Sequence, residues 1–233
     1  MTTIPANLQA VRDRIERALA AASRPAGAVS LLAVSKTWPA ERVSEAAAAG
    51  QRAFGENYVQ EGVDKIRALA GLELEWHFIG PLQSNKSRSV AEHFDWVHSL
   101  DRLKLAERLS SQRPPQRAPL NVCIQVNVSG EASKSGVAPD EVGPLAHAVA
   151  GLPGLRLRGL MCIPEPDGGE ALLRARFRLL GTISEALHGQ GLVLDTLSMG
   201  MSHDLELAIA EGSTLVRVGT AIFGTRTVVE KPA

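Results

Sequence analysis

The feature that most constrains this chain is a regular alternation. Short apolar runs recur along its length, and nearly every one is followed by a stretch with helical spacing. The strand-like runs are VSLLAV, RAFGE, EWHFIG, DWVHSL, NVCIQVNV, LRLRGLMCI, LDTLSMG and TLVRVG. Strands that are apolar throughout are buried on both faces, so strands separated by helices imply a parallel sheet covered by helices. About eight such units in 233 residues fit a single α/β domain, a (β/α)8 TIM barrel over residues 1–233. A doubly wound open sheet is the alternative. Only residues 220–233 follow the last run, too few for a long closing helix. A helix predicted over residues 7–22, with Leu8, Val11, Ile15 and Leu19 along one face, is therefore expected to help complete the outer ring. Pro39 is expected at a first helical position with Gly50 closing that helix, and Val59, Val63 and Ile66 give the next helix its apolar stripe.

Composition excludes several classes of partner. Lys plus Arg and Asp plus Glu stand at 25 each, so there is no excess of basic charge to attract nucleic acid or an anionic membrane surface. Cys123 and Cys162 each lie inside an apolar stretch and read as reduced core thiols. The six histidines show no HxH or HExxH spacing and the cysteines no CxxC, so no metal site is expected. The N-terminal stretch is charged throughout and no segment reaches the roughly 18 uninterrupted apolar residues of a membrane span, so a cytoplasmic location is expected.

In a TIM barrel the chemistry sits at the C-terminal strand ends. Lys36 follows the first strand-like run and shares strand parity with Leu32 and Val34. If those face the lumen, the Lys36 amine enters poorly hydrated space that disfavours its charged form, which suits a nucleophile that condenses with an aldehyde. The bland alternative is a lysine that snorkels at a strand end. In SMGMSHDLELAIAEG, Ser202 is expected to cap a helix running to Glu211, while Gly200 lets the backbone approach a ligand; the N–H groups there suit a phosphate. A second anion cradle is expected at Val218, Gly219 and Thr220. Arg217 lies between two valines, so it is expected to be buried and to need an acceptor: a ring nitrogen of a cofactor, or a carboxylate such as Asp195 or Glu206. Ser202, His203 and Asp204 are adjacent on the chain and cannot form a hydrolytic relay, and neither a GxGxxG nor a GxxxxGK[ST] motif is present.

LLAVSKTWP, FGENYVQE, WHFIGPLQSNK, QVNVSGEASKSG, LRGLMCIP, LSMGMSHDLELAIAEGST and VRVGTAIFG occur in this order. With these motifs the chain resembles, nearly end to end, the YggS/PROSC group, the pyridoxal phosphate homeostasis proteins. That resemblance implies a barrel similar to the N-terminal half of bacterial alanine racemase, with pyridoxal 5'-phosphate (PLP) held as an internal aldimine on Lys36. It further implies Arg217 facing the pyridine nitrogen, Ser202, Gly219 and Thr220 on the phosphate with Met199 and Gly200 near it, and Asn57 as a polar contact. His77 and Met161 are expected to line the pocket, and Lys134 lies in a loop that would approach the ring.

The sequence also bears on carrier against enzyme. Racemisation of the alanine racemase type needs a second base, a tyrosine from a separate domain. The only tyrosine here, Tyr58, is expected at the start of a helix outside the lumen. Arginine opposite the ring nitrogen weakens the electron sink that PLP enzymes use. The expected role is therefore a monomeric PLP carrier that supplies apo-enzymes and has no catalytic residue. A PLP-dependent racemase or lyase is the second reading, and an aldolase-type Schiff-base barrel the third.

Overall fold

The structure, a computed structural model, describes residues 3–130, 135–165 and 168–225. The strands are β1 (Ser30–Val34), β2 (Ala53–Glu56), β3 (Glu75–Phe78), β4 (Trp96–Leu100), β5 (Leu120–Gln125), β6 (Leu155–Met161), β7 (Thr196–Ser198) and β8 (Leu215–Val218). They form one closed parallel barrel in chain order. Closure runs through β1 and β8, with Ser30 opposite Leu215 and Ala33 opposite Val218. All eight strand-like runs of the sequence are strands, and the open-sheet alternative is ruled out.

The helices are α1 (Ile4–Ala21), α2 (Ala40–Ala48), α3 (Val59–Ala68), α4 (Ser87–His93), α5 (Leu103–Gln112), α6 (Val142–Ala150), α7 (Gly169–Gly189), α8 (Leu205–Ala210) and α9 (Thr220–Phe223). Among the described residues only the single turn of α9 follows β8, and α1 packs beside α8, α9 and α2, where a closing helix belongs. Its Asn7 side chain donates to Ile222 O at 2.8 Å. Among the described residues no helix is long and apolar enough to cross a membrane. Pro39 is the residue that caps α2, one position before its first turn, and Gly50 takes a positive φ of 85° just beyond it.

The main core lies between barrel and helices. Inside the barrel, Leu32, Ile79 and Leu215 form one small cluster and Trp96, Cys123 and Met161 another. Both cysteines are free and buried, and burial pushes each thiol up to about 12, so neither is a nucleophile. An irregularity between Val122 and Cys123 inserts one residue into β6 and brings Gly159 against β7. A Cβ on Gly159 would stand 1.8 Å from Thr196 O, so only glycine fits. Gly159→Ala is expected to destabilise the barrel by about 3 kcal/mol. That corresponds to a fall in Tm of about 6–12 °C, measurable by thermal unfolding.

Candidate functional site

The C-terminal ends of β6, β7, β8 and β1 meet through short contacts. Cys162 N–H donates to Ser198 O at 3.3 Å, Arg217 N–H donates to Gly200 O at 2.9 Å, and Gly219 lies against Val34 so closely that an added Cβ would be 3.1 Å from Val34 O. Lys36 is two residues past Val34, which packs on the lumen cluster containing Leu32, and it is half-buried. Its turn is unusual: Thr37 has φ +68°, a conformation that β-branched residues avoid.

Arg217 is 4% exposed. Nη1 donates to Ser198 O at 2.6 Å and to Ser198 Oγ at 2.8 Å, and Nη2 donates to Cys162 O at 2.9 Å. The carboxylates considered as partners are engaged elsewhere, Asp195 by Arg158 at 2.7 Å and Glu206 by Arg14 at 2.9 Å. No carboxylate among the described residues lies within ion-pair distance of Arg217, and burial lowers its pKa. One Nη2–H and the Nε–H are left for a further acceptor.

His77 does not line the mouth. It is the third residue of the four-residue β3 and sits low in the lumen, touching Arg217 only through intermediaries. Its Nδ1 is 2.9 Å from His98 Nε2, and His98 Nδ1 is 2.8 Å from Ser198 Oγ. His77 also stacks on Trp96, with ring centroids 5.2 Å apart, and its Nε2 stands 3.6 Å from Glu75 Oε2. It borders a cavity of about 670 Å3 at the N-terminal end of the barrel, away from Lys36. Strand alternation sets which face a side chain takes and carries no information on height along the barrel.

Ser202 is not a helix cap. It lies half-buried in a turn, and α8 starts only at Leu205 behind Asp204, whose carboxylate accepts from Met201 N–H at 2.5 Å. Asp204 occupies the position before the helix, but its carboxylate is turned back to Met201 and makes no cap hydrogen bond to α8. Gly200 has φ +96°, and a Cβ there would strike Ala208 Cβ at 2.6 Å, so the glycine makes room for α8. Met199 beside it is fully buried. Gly219 precedes α9 and Thr220 opens it, so the unbonded N–H groups of that first turn face outward from the end of β8. Asn57 follows β2 with its Oδ1 buried and without a hydrogen-bond partner, and Gly80 holds it there: a Cβ on Gly80 would be 2.2 Å from Asn57 O. Met161 packs in the lumen with Trp96 and Cys123. Lys134 lies outside the described residues.

The residues fit PLP in three respects. Asn57 Oδ1 is an orphaned acceptor, Arg217 keeps spare donors at the floor of the mouth, and the turns at Gly200 and Gly219 bring backbone N–H groups where a phosphate can approach.

Sequence reasoning passed over Ser198 and His98, and also a buried cluster behind the Lys36 turn. Lys65 Nζ donates to Ser35 O at 2.8 Å, to Glu56 Oε1 at 2.7 Å and to Glu61 Oε1 at 2.6 Å, and the Ser35 hydroxyl donates to Glu56 Oε1 at 2.6 Å. Glu56 has the strand parity of Phe54, which faces the helices, and Glu61 and Lys65 are four apart on α3. Those two signals would have found the cluster.

The family description "Alanine racemase, N-terminal domain" matches residues 6–227. The "Pyridoxal phosphate homeostasis protein" of Pseudomonas aeruginosa is 61% identical over 226 residues, covering 97% of each chain. The protein of the same description from Escherichia coli K12 is 56% identical over 234 residues, covering 99% of this chain and 100% of that one. Among solved structures, PipY of Synechococcus elongatus with PLP bound superposes with a TM-score of 0.79 at 41% identity, over 90% of this chain and 100% of that one. Alanine racemase from Corynebacterium glutamicum shares the fold at TM-score 0.67 and 18% identity, with this chain spanning 63% of its length.

Proposed function

The chain belongs to the pyridoxal phosphate homeostasis protein family, on an alanine racemase N-terminal domain, and from that membership we propose that it binds PLP as a covalent imine at Lys36 and supplies it to apo-enzymes. In forming the imine, the Lys36 nitrogen bonds to the aldehyde carbon and the carbonyl oxygen leaves as water with the two amine hydrogens. Arg217 carries the reading: a buried guanidinium without a carboxylate, with donors to spare, is expected to face an acceptor such as the pyridine nitrogen. Ser202, Gly219 and Thr220 would hold the phosphate, with Met199 and Gly200 beside it, Asn57 as a polar contact and Met161 beneath. His77 acts at a distance, through His98 and Ser198.

An arginine donor keeps the ring nitrogen unprotonated, which weakens the cofactor as an electron sink. Tyr58, the one tyrosine, caps α3 at 58% exposure, and a second base opposite Lys36 is not supplied by it. Both support a carrier over an efficient catalyst, and we read that carrier as a cytoplasmic monomer. The test is to incubate the PLP-loaded protein with a panel of L-amino acids and to follow transfer to an apo-enzyme. Racemisation and keto-acid release are expected not to exceed those of free PLP, while transfer outpaces free PLP at equal concentration. Sustained turnover well above free PLP would make the protein an enzyme instead.

A further inference from the structure

Lys36 is the half-buried middle residue of a turn that is fastened to the barrel wall on both sides. Ser35 and Thr37, its two chain neighbours, are both held by the buried cluster. Ser35 gives its carbonyl to Lys65 Nζ and its hydroxyl to Glu56, and Thr37 N–H donates to Glu61 Oε1 at 2.5 Å. Thr37 sits at φ +68°, which costs of order 1–3 kcal/mol and persists only where surrounding contacts impose it. The turn is closed by Trp38 N–H donating to Ser35 O at 3.0 Å, and the Glu61 carboxylate is a second contact that holds Thr37 in place. Glu61 is in turn fixed by Lys65, and Lys65 by the fully buried Glu56, whose Oε2 has no partner. Three charges are thus sequestered in the layer between β2 and α3 where apolar side chains would pack more cheaply. None of the three stands on the lumen side of the wall. Their common feature is contact with the backbone on either side of Lys36.

We propose that Glu61, Lys65 and Glu56 are positioning residues that aim the Lys36 amine by clamping the backbone of residues 35–37. The proposal rests on the imine reading of the preceding subsection and adds to it the device that orients the nucleophile. With the clamp in place the turn holds one conformation and the amine meets the aldehyde carbon in a single geometry. Without Glu61 only the Trp38–Ser35 hydrogen bond closes the turn, so the peptide between Lys36 and Thr37 gains freedom to rotate and Lys36 swings with it. A misplacement of about 1 Å at a reacting atom costs on the order of 100-fold in rate.

The test uses the full chain freed of PLP and recombined with it. Three quantities are read: the rate at which the imine absorbance appears, borohydride trapping with peptide mapping, and thermal unfolding. Glu61→Ala removes the acceptor for Thr37 N–H yet leaves the Lys65–Glu56 pair intact, and the Glu61 side chain is already 28% exposed. Imine formation is expected to slow by about 10- to 100-fold with Tm close to wild type. Glu61→Gln keeps a carbonyl oxygen for Thr37 and is expected to restore most of the rate. A Glu61→Ala protein that forms the imine at the wild-type rate overturns the clamp, as does Glu61→Gln if it is as slow as Glu61→Ala. A wild-type protein that forms no imine on Lys36 overturns the imine reading and the clamp with it; normal imine in wild type beside an unaffected variant overturns the clamp alone.

Discussion

Lys36→Ala is expected to lose the imine absorbance completely. After borohydride reduction, peptide mapping of the wild-type protein is expected to place one pyridoxyl adduct on the peptide containing Lys36, and the variant should carry none. The chemistry demands this outcome, because an imine needs an amine that reaches the aldehyde and is not held charged by a carboxylate. The residual site would still offer Arg217, Asn57 and the backbone turns, so non-covalent PLP is expected to bind more weakly and dissociate faster. The fold is expected to survive, since Lys36 is half-buried at a turn and outside the main core. An adduct that maps to another lysine, or a band that survives the substitution, contradicts the assignment.

Lys65→Met is expected to destabilise the protein by about 3–5 kcal/mol near neutral pH, the usual consequence of stripping one partner from a buried ion pair. Lys65 and Glu56 have side chains only 6% and 0% exposed, so solvent does not compensate what remains. The loss has a pH signature. Burial raises the Glu56 pKa, and Lys65, through its charge and hydrogen bond, pulls against that rise. A carboxyl raised in the folded state binds its proton more tightly folded than unfolded. Its contribution is therefore fully present below the unfolded carboxylate range and is lost as pH climbs through the folded value. Removing Lys65 raises that value further and deepens the loss. The deficit against wild type is expected to be smallest near pH 4.5 and to grow towards pH 8, in denaturant unfolding at a series of pH values. The double variant Glu56→Gln, Lys65→Met is expected to recover much of the loss. An equal deficit at both ends of the pH range would show that Glu56 ionisation is not the cause.

Much of this architecture was legible because strand and helix periods are local. The eight apolar runs became eight strands, and α1, with its one apolar face, packs in the ring beside α8, α9 and α2 as expected. At the site, the burial of Arg217 between valines follows from single-residue geometry. What stayed hidden depends on three dimensions. His77 was expected at the mouth because it lies late in a short apolar run, whereas its side chain borders the cavity at the N-terminal strand ends. Ser202 was read as a cap because serine favours that position, but the chain enters α8 only at Leu205, and the turn before it is tied by Met201 N–H to the Asp204 carboxylate. The Glu56–Lys65 pair spans a strand and a helix, and only packing shows that an ordinary i,i+4 pair on α3 has a third, buried member.

The row from Arg217 through Ser198 and His98 to His77 has a one-way character. A guanidinium can only give hydrogens, so the Ser198 oxygen receives one from it, and the serine's own hydrogen must go to His98 Nδ1, its remaining close neighbour. His98 then carries its proton on Nε2 and hands it to His77 Nδ1, which leaves the His77 proton on Nε2, facing Glu75. Burial, with His77 and Arg217 adding to it, holds the His98 pKa well below the ordinary imidazole range, so this link stays neutral. The tautomers of two histidines at the far end of the barrel are thus dictated by a residue at its mouth, and the orientation cannot reverse at any one link without reversing at all of them.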